Sequence, residues 1–251
     1  DYVKCEFKIF GAQGGHSGDD IDKNRANANK VLARFLYRVL AKHDIELYEI
    51  DGGNKRNAIA REAYAVIGFA KRNEKSVLKI FNGVIAEVKE EFKVSDPDVD
   101  GIAREVGIHD IKDGICFGTP KKAIDKNTAA SLIYSLYCAP HGVLAMSNDV
   151  KGLVETSTNL ASIKMLKGNV IRIGTSQRSA INSCRRREYQ LFAACLLHDF
   201  QKGQGAVQVI AIVLQRLPDT LSYRLESCKV NDCVDLIVTK NLPKFHLVST
   251  V

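Results

Sequence analysis

The sequence predicts an α+β fold built from two ferredoxin-like β-α-β-β-α-β units, and three observations lead there. Val3, Cys5, Phe7 and Ile9 alternate with Lys4, Glu6 and Lys8, the period-two signature of a half-buried strand. Ala28, Leu32, Phe35, Leu36, Val39 and Leu40 then recur at helical spacing. The second half of the chain echoes this succession with no low-complexity linker between, so both halves are read as one domain.

Taken in order, the first strand stops at a glycine-rich stretch, Phe10-Gly11-Ala12-Gln13-Gly14-Gly15-His16-Ser17-Gly18-Asp19-Asp20-Ile21. Glycine allows close backbone approach, so such a junction can hold one polar side chain against a ligand. The plain alternative is a strand-to-helix turn with a solvent-facing histidine. The order is not that of a nucleotide loop, because G-x-G-x-x-G is absent and no Gly-Lys-Ser/Thr follows. An amphipathic helix is expected over roughly 24–42, then a strand from Ile45 to Ile50 ending at Asp51-Gly52-Gly53. Residues 61–70 read as a third strand, and the link over 51–60 is longer than a tight hairpin needs. Ser76 is expected to cap a helix whose inner face is Val77, Ile80, Phe81, Val84, Ile85, Val88 and Phe92. A strand within 99–108 completes the first unit.

In the second unit, Asn127 or Asp125 starts a short helix with Ala129, Leu132, Ile133 and Leu136 inward. Strands over 152–166 and 168–177 turn at Lys167-Gly168-Asn169, and a helix over 185–200 and a strand over 205–214 end the series.

Composition narrows the function classes. The chain has 251 residues, 45% hydrophobic and 26% charged, with no tryptophan. No apolar run reaches the ~18 residues that a membrane helix needs, and no signal-peptide pattern opens the chain. It starts at Asp1 inside a strand pattern, as a piece cut from something longer would. Seven cysteines without paired spacing are most simply free thiols of a reducing cytosol, and Cys228 and Cys233 are too loosely spaced for a zinc knuckle. The net charge is +7; residues 185–251 hold nine Lys/Arg against six Asp/Glu, or +3, which leaves +4 for the first 184. A charge so spread is weak evidence for a phosphate partner, and neither nucleic acid nor membrane is expected to bind. Arg185-Arg186-Arg187 reads as a solvated helix start.

The wording of the glycine stretch says more than its spacing. Gly11 to Ile21 followed by Arg25-Ala26-Asn27-Ala28-Asn29-Lys30 resembles the aminoacyl-histidine dipeptidases, also called cytosol non-specific dipeptidases. Further phrases follow in the same register: Gly52 to Ile59 (GGNKRNAI), Pro140-His141-Gly142-Val143, Gly152 to Leu160 (GLVETSTNL) and Gly174-Thr175-Ser176-Gln177-Arg178-Ser179. The resemblance runs from about residue 1 to 183, and to one part of the family only, the lid or dimerisation domain inserted into a zinc-binding catalytic domain. It implies two units sharing an extended, mainly antiparallel sheet with helices on one face. The lid is expected over 1–214, in halves of about 1–110 and 111–214. Residues 215–251 match no phrase of the catalytic half, and this tail is expected to be degenerate, frame-shifted or recombined.

The resemblance also implies a chemistry. The family hydrolyses dipeptides of the Xaa-His type at a two-zinc site whose ligands come from the flanking domain, so two zinc ions are implied there and no cofactor in this chain. The adjacent pairs His43-Asp44, His109-Asp110 and His198-Asp199 cannot reproduce the family's His-x-Asp, and Glu90-Glu91 fits a solvated helix face. The chain alone is expected to be inactive. His16 matches the lid histidine that reaches a neighbouring subunit's active site and hydrogen-bonds the substrate carbonyl. Asn57 matches a second substrate-contacting donor, with a loop-capping amide as the equal alternative. Arg178 matches the arginine that grips the substrate's free carboxylate, with a surface ion pair as the alternative; Arg172 lies in a plainer strand. His141 is expected to be structural, and Thr156, Ser157 and Asn159 to belong to the sheet rather than to a pocket. The expected partners are a second copy of the chain, the catalytic domain and a dipeptide, in the cytoplasm. The other readings are a non-catalytic homodimerisation module and a basic nucleic-acid-binding α/β domain.

Overall fold

A computed structural model describes residues 2–106, 122–166 and 170–181, together with the backbone of 208–214 and 231–239. Strand β1 (Tyr2–Phe10) has the expected alternation: Val3, Cys5, Phe7 and Ile9 are buried and the charged residues between them face outward. After a two-residue strand β2 (Gly15–His16), helix α1 spans Ala28–Leu40 and buries Val31, Leu32, Phe35, Leu36 and Val39 against the sheet. The helix starts later than residue 24 for a local reason. Asn24 has φ 49°, and Asn27 is extended and accepts from the N–H groups of Asn29 and Lys30, an N-cap that ends the coil segment.

Strand β3 (Ile45–Gly52), short β4 (Ala58–Ile59) and β5 (Ala63–Ala70) follow. The chain then turns helical at once through a 3-10 turn, Lys71–Asn73, into α2 (Glu74–Glu91). The Ser76 cap expected from the sequence is therefore not made: Ser76 lies inside the first turn, and its Oγ is 2.8 Å from His43 Nε2. Strand β6 (Asp100–Glu105) closes the unit, and the order β3-β5-β1-β6, antiparallel throughout, is the ferredoxin-like arrangement.

Helix α3 (Lys126–Cys138) opens the second unit under a cap from Asp125, whose carboxylate accepts Thr128 N–H. Ala129, Leu132, Ile133 and Leu136 are inward, as the spacing predicts. Strand β7 (Gly142–Met146), which the sequence did not show, pairs with the first half of the long β8 (Val154–Leu166), and β9 (Val170–Ser179) pairs along β8's other edge. Backbone strands β10 (Gln208–Leu214) and β11 (Asn231–Thr239) extend the sheet to the order β10-β11-β9-β8-β3-β5-β1-β6. The two units meet at Gly52↔Ile163. The expected turn at 167–169 and helix over 185–200 lie outside the described residues.

The three helices share one face of the sheet with a continuous core. Its centre is Phe7, Phe35 and Phe81, whose ring centroids lie 4.6, 5.0 and 5.0 Å apart. Each such ring contributes about 1.5–3 kcal/mol by burial alone. Lys30 ties α1 to α3: its Nζ donates to the carbonyls of Leu136, Tyr137 and Ala139 at 3.1, 2.6 and 2.6 Å, satisfying a helix C-terminus that lacks its own basic residue.

Candidate functional site

The glycine loop becomes a site because the miniature ribbon of β2 and β4 brings two distant phrases together. Gly15 pairs with Ile59 and His16 with Ala58, and Ser17 N–H donates to Asn57 O at 2.8 Å. The expected loop over 51–60 thus serves as the second strand of a holder for His16. Asp20 latches the turn from the other side: its Oδ2 accepts His16 N–H at 2.7 Å, and its own N–H donates to His16 O at 2.9 Å. Glycine is required at 15, where φ is +141° and a Cβ would come within 2.5 Å of Arg25 Nη1 and 2.7 Å of Asp20. Arg25 Nη1 donates to Gly14 O at 2.6 Å.

Two buried polar groups fix this loop to the body. Asp96, fully buried, accepts the N–H groups of Gln13 and of Ala26, the latter at 2.6 Å, and so clasps both ends of the loop. Asn159 on β8 donates to Ala58 O at 2.9 Å, and Asn27 shares its amide among Leu160 O (3.0 Å), Asn159 Oδ1 (3.3 Å) and His141 Nδ1 (3.3 Å). Asn159 is therefore a strut beneath the ribbon, in keeping with its expected place in the sheet. Thr156 bonds to Ser179 across the β8–β9 pair at 2.9 Å, and Ser157 is buried.

The candidate residues stand out from this scaffold. The His16 side chain keeps 38% of its surface exposed, while its Nδ1 is sealed off and lies 2.9 Å from Asp19 Oδ2. The Asn57 amide is exposed and makes no hydrogen bond among the described residues, so it caps no loop there. Arg178, opposite Ser157 on β9, packs its guanidinium on Gly18, where a Cβ would sit 1.3 Å from Nη1. Residues 16, 57 and 178 thus converge on one turn. The imidazole and the amide so placed can donate to a carbonyl oxygen, whereas Nε and Nη2 of the Arg178 guanidinium are closed to solvent. Arg172 lies farther along β9, opposite Lys164.

His141 sits apart from these donors. It borders a cleft of about 430 Å³ at the base of the loop, with Asn27, Lys30, Arg34 and Phe92. Burial, and then the charge of Lys30, pull its imidazole down to about 4, so it is neutral and structural. Burial likewise pulls Lys30 down to about 8. Among the described residues no three His, Cys, Asp or Glu side chains group as metal ligands. Glu90 and Glu91 are ion-paired on the surface, with Lys93 at 2.6 Å and Arg34 at 2.7 Å. No helix is long and apolar enough to cross a membrane among the described residues. The sequence reading missed Asp19 and Asp96: the first had a signal in the Gly-Asp-Asp run, the second had none.

Comparison with known proteins identifies the family of the chain. Residues 5–96 match the peptidase dimerisation domain family. Over 191 residues, 72% of this chain, the sequence is 34% identical to the cytosol non-specific dipeptidase of Escherichia coli (strain K12), of which it spans 36%. The crystal structure of aminoacylhistidine dipeptidase from Vibrio alginolyticus matches with a TM-score of 0.71 and 29% identity, over 79% of this chain and 38% of that one. The chain spans little more than a third of the length of either relative.

Proposed function

The chain belongs with the aminoacylhistidine dipeptidases as the part that bears their peptidase dimerisation domain, and from that premise we propose that it is the lid of a cytosolic, zinc-dependent dipeptidase acting on Xaa-His dipeptides. Two copies pair, and His16 of one reaches an active site built on other polypeptide, where it donates to the substrate carbonyl as negative charge develops. Asn57 supplies a second donor, and Arg178 receives the free carboxylate with a bidentate fork that lysine cannot copy. The observation that carries this reading is the convergence of residues 16, 57 and 178 on a turn held by backbone hydrogen bonds and sealed polar groups.

Two divalent ions, zinc by the family resemblance, would activate the hydrolytic water; the described residues do not fit such a pair, so its ligands belong elsewhere. In this reading residues 1–214 are the lid and 215–251 a divergent tail. The cytosolic setting draws on the description of the Escherichia coli relative and on the free thiol of Cys5.

The test mixes this chain with the separately produced zinc-binding half of the Escherichia coli dipeptidase and follows Xaa-His hydrolysis and molecular mass. We expect a dimer, no activity from the chain alone, and activity on mixing that falls 10²–10³-fold in His16→Ala, the usual cost of one such donor. Activity that survives His16→Ala would refute the catalytic role. A dimer that rescues nothing would leave a homodimerisation module without catalytic function.

A further inference from the structure

The ring of His16 has a neighbour that the catalytic reading does not use. Nδ1 is closed to solvent and 2.9 Å from Asp19 Oδ2, close enough for an ion pair though out of line for a hydrogen bond. Asp20 is already committed: it holds the backbone of His16 and contacts Lys23 and Arg25. Asp19 is the carboxylate that meets the ring. The other charged groups around this turn are Arg178 from β9, packed on Gly18, and Arg61, packed on Gly14.

We infer that Asp19 is a positioning residue for His16, holding Nδ1 inward as the protonated ring nitrogen so that Nε2 is the atom presented to a ligand. A neutral ring carries one proton on either of two nitrogens, and a carboxylate beside one of them draws the proton there. Nε2 makes no hydrogen bond among the described residues and the ring remains partly exposed, so that edge is free to act.

This inference deepens the lid reading and rests on it for its catalytic consequence. A neutral imidazole has one N–H. With that proton on Nδ1, Nε2 is an acceptor, and it donates to a carbonyl oxygen only after taking up a second proton. The acting form of His16 is then the imidazolium with Asp19 as its counter-ion. It donates a charge-assisted hydrogen bond, roughly twice as strong as a neutral one. No bond is made or broken within the chain; the proton taken up at Nε2 comes from solvent.

The full chain labelled with ¹⁵N-histidine tests this, with the ring signals of His16 assigned by their loss in His16→Gln. At alkaline pH, where the ring is neutral, we expect the Nδ1–H tautomer in the native chain. Asp19→Ala should return the ring to the Nε2–H form that the free histidine side chain prefers, and Asp19→Glu should keep the native pattern. An Nε2–H ring in the native chain overturns the inference, as does a tautomer unchanged in Asp19→Ala. If Asp19→Ala disturbs the turn, Asp19→Glu decides: a native pattern supports the pairing and an Nε2–H ring overturns it. In the mixed peptidase, Asp19→Ala should lower kcat several-fold with KM little changed, and Asp19→Glu should restore it. A tautomer that inverts without loss of activity upholds the pairing and overturns its catalytic consequence, since a neutral Nε2–H ring then donates as well as the imidazolium. An unchanged tautomer removes the pairing and leaves the lid reading standing.

Discussion

Replacing Asp96 by asparagine isolates the clasp that holds the loop. The change is isosteric, so it opens no cavity and its effect is electrostatic. Asp96 is fully buried and its two oxygens accept the N–H groups of Gln13 and Ala26. Asparagine offers one oxygen and one NH₂, so one of those N–H groups would face another donor. Ala26 is fully buried and Gln13 exposed, so the amide should turn its oxygen to Ala26 and its NH₂ toward the surface. A charge-assisted hydrogen bond contributes about 1.5–3 kcal/mol, and Gln13 can recover part of its loss from water. We therefore expect a destabilisation of about 2–3 kcal/mol. For a chain of this size each kcal/mol moves Tm by about 2–4 °C, so the drop should be about 4–12 °C. Urea and thermal unfolding followed by circular dichroism measure it, and amide exchange over residues 13–26 should accelerate more than exchange in β1 or α1. A loss below about 1 kcal/mol, with exchange in the loop unchanged, would refute the clasp.

Two further outcomes follow from the same geometry. The imidazole of His141 is held down to about 4, against about 6.5 in an unfolded chain, so the unfolded state binds the proton more tightly. Stability from this group is complete above about pH 6.5 and is lost as pH falls through 4; full linkage gives about 3 kcal/mol, and partial solvent contact reduces that to about 2 kcal/mol. His141→Asn should remove this part of the pH dependence in unfolding curves between pH 7 and pH 4, and identical curves for both chains would contradict it. Gly18→Ala places a methyl group 1.3 Å from Arg178 Nη1, the far end of a flexible side chain, so the fold should survive while the guanidinium is displaced. Loss of a carboxylate–arginine contact costs about 1.5–3 kcal/mol, so KM in the mixed peptidase should rise roughly ten- to hundredfold, with Tm changed by less than a few degrees. A KM that stays put would separate Arg178 from substrate.

What the sequence revealed and what it hid divide along physical lines. β1, α1, α2 and α3 were legible because each repeats one period over many residues: Val3 to Ile9 alternate, and Leu32, Phe35, Leu36 and Val39 stack on one helix face. The β2–β4 ribbon was not, since two residues a side are too few for any period. β7 was hidden for a different reason: its Leu144 and Met146 point outward and stay exposed, against the usual apolar-in pattern. Ser76 misled because a 3-10 turn started the helix early. Asp96 lies 70 and 83 residues from its partners, a pairing that only tertiary closure creates. The candidate site residues lie at 16, 57 and 178, and no spacing rule joins them; their grouping came from family wording, and the ribbon brings 16 and 57 together while Arg178 packs on Gly18.

That ribbon also separates the side chains of His16 and Asn57 from the hydrogen bonds that fix the turn. The hydrogen bonds that fix the turn run to backbone groups: Asp20 to His16 N–H, Asp96 to Gln13 and Ala26 N–H, Asn159 to Ala58 O, and Ser17 N–H to Asn57 O. Asn57 takes part through its backbone carbonyl and His16 through its backbone N–H; the side chains of both stay out of these bonds. Ordering a backbone residue costs about 1–2 kcal/mol, and here that cost is met during folding rather than on binding. A loop whose own imidazole and amide served as its struts would have to give up structure to meet a ligand. Separating the struts from the donors lets a small loop hold polar side chains in place without using them up, and it predicts that damage to Asp96 reaches the site through position rather than through chemistry.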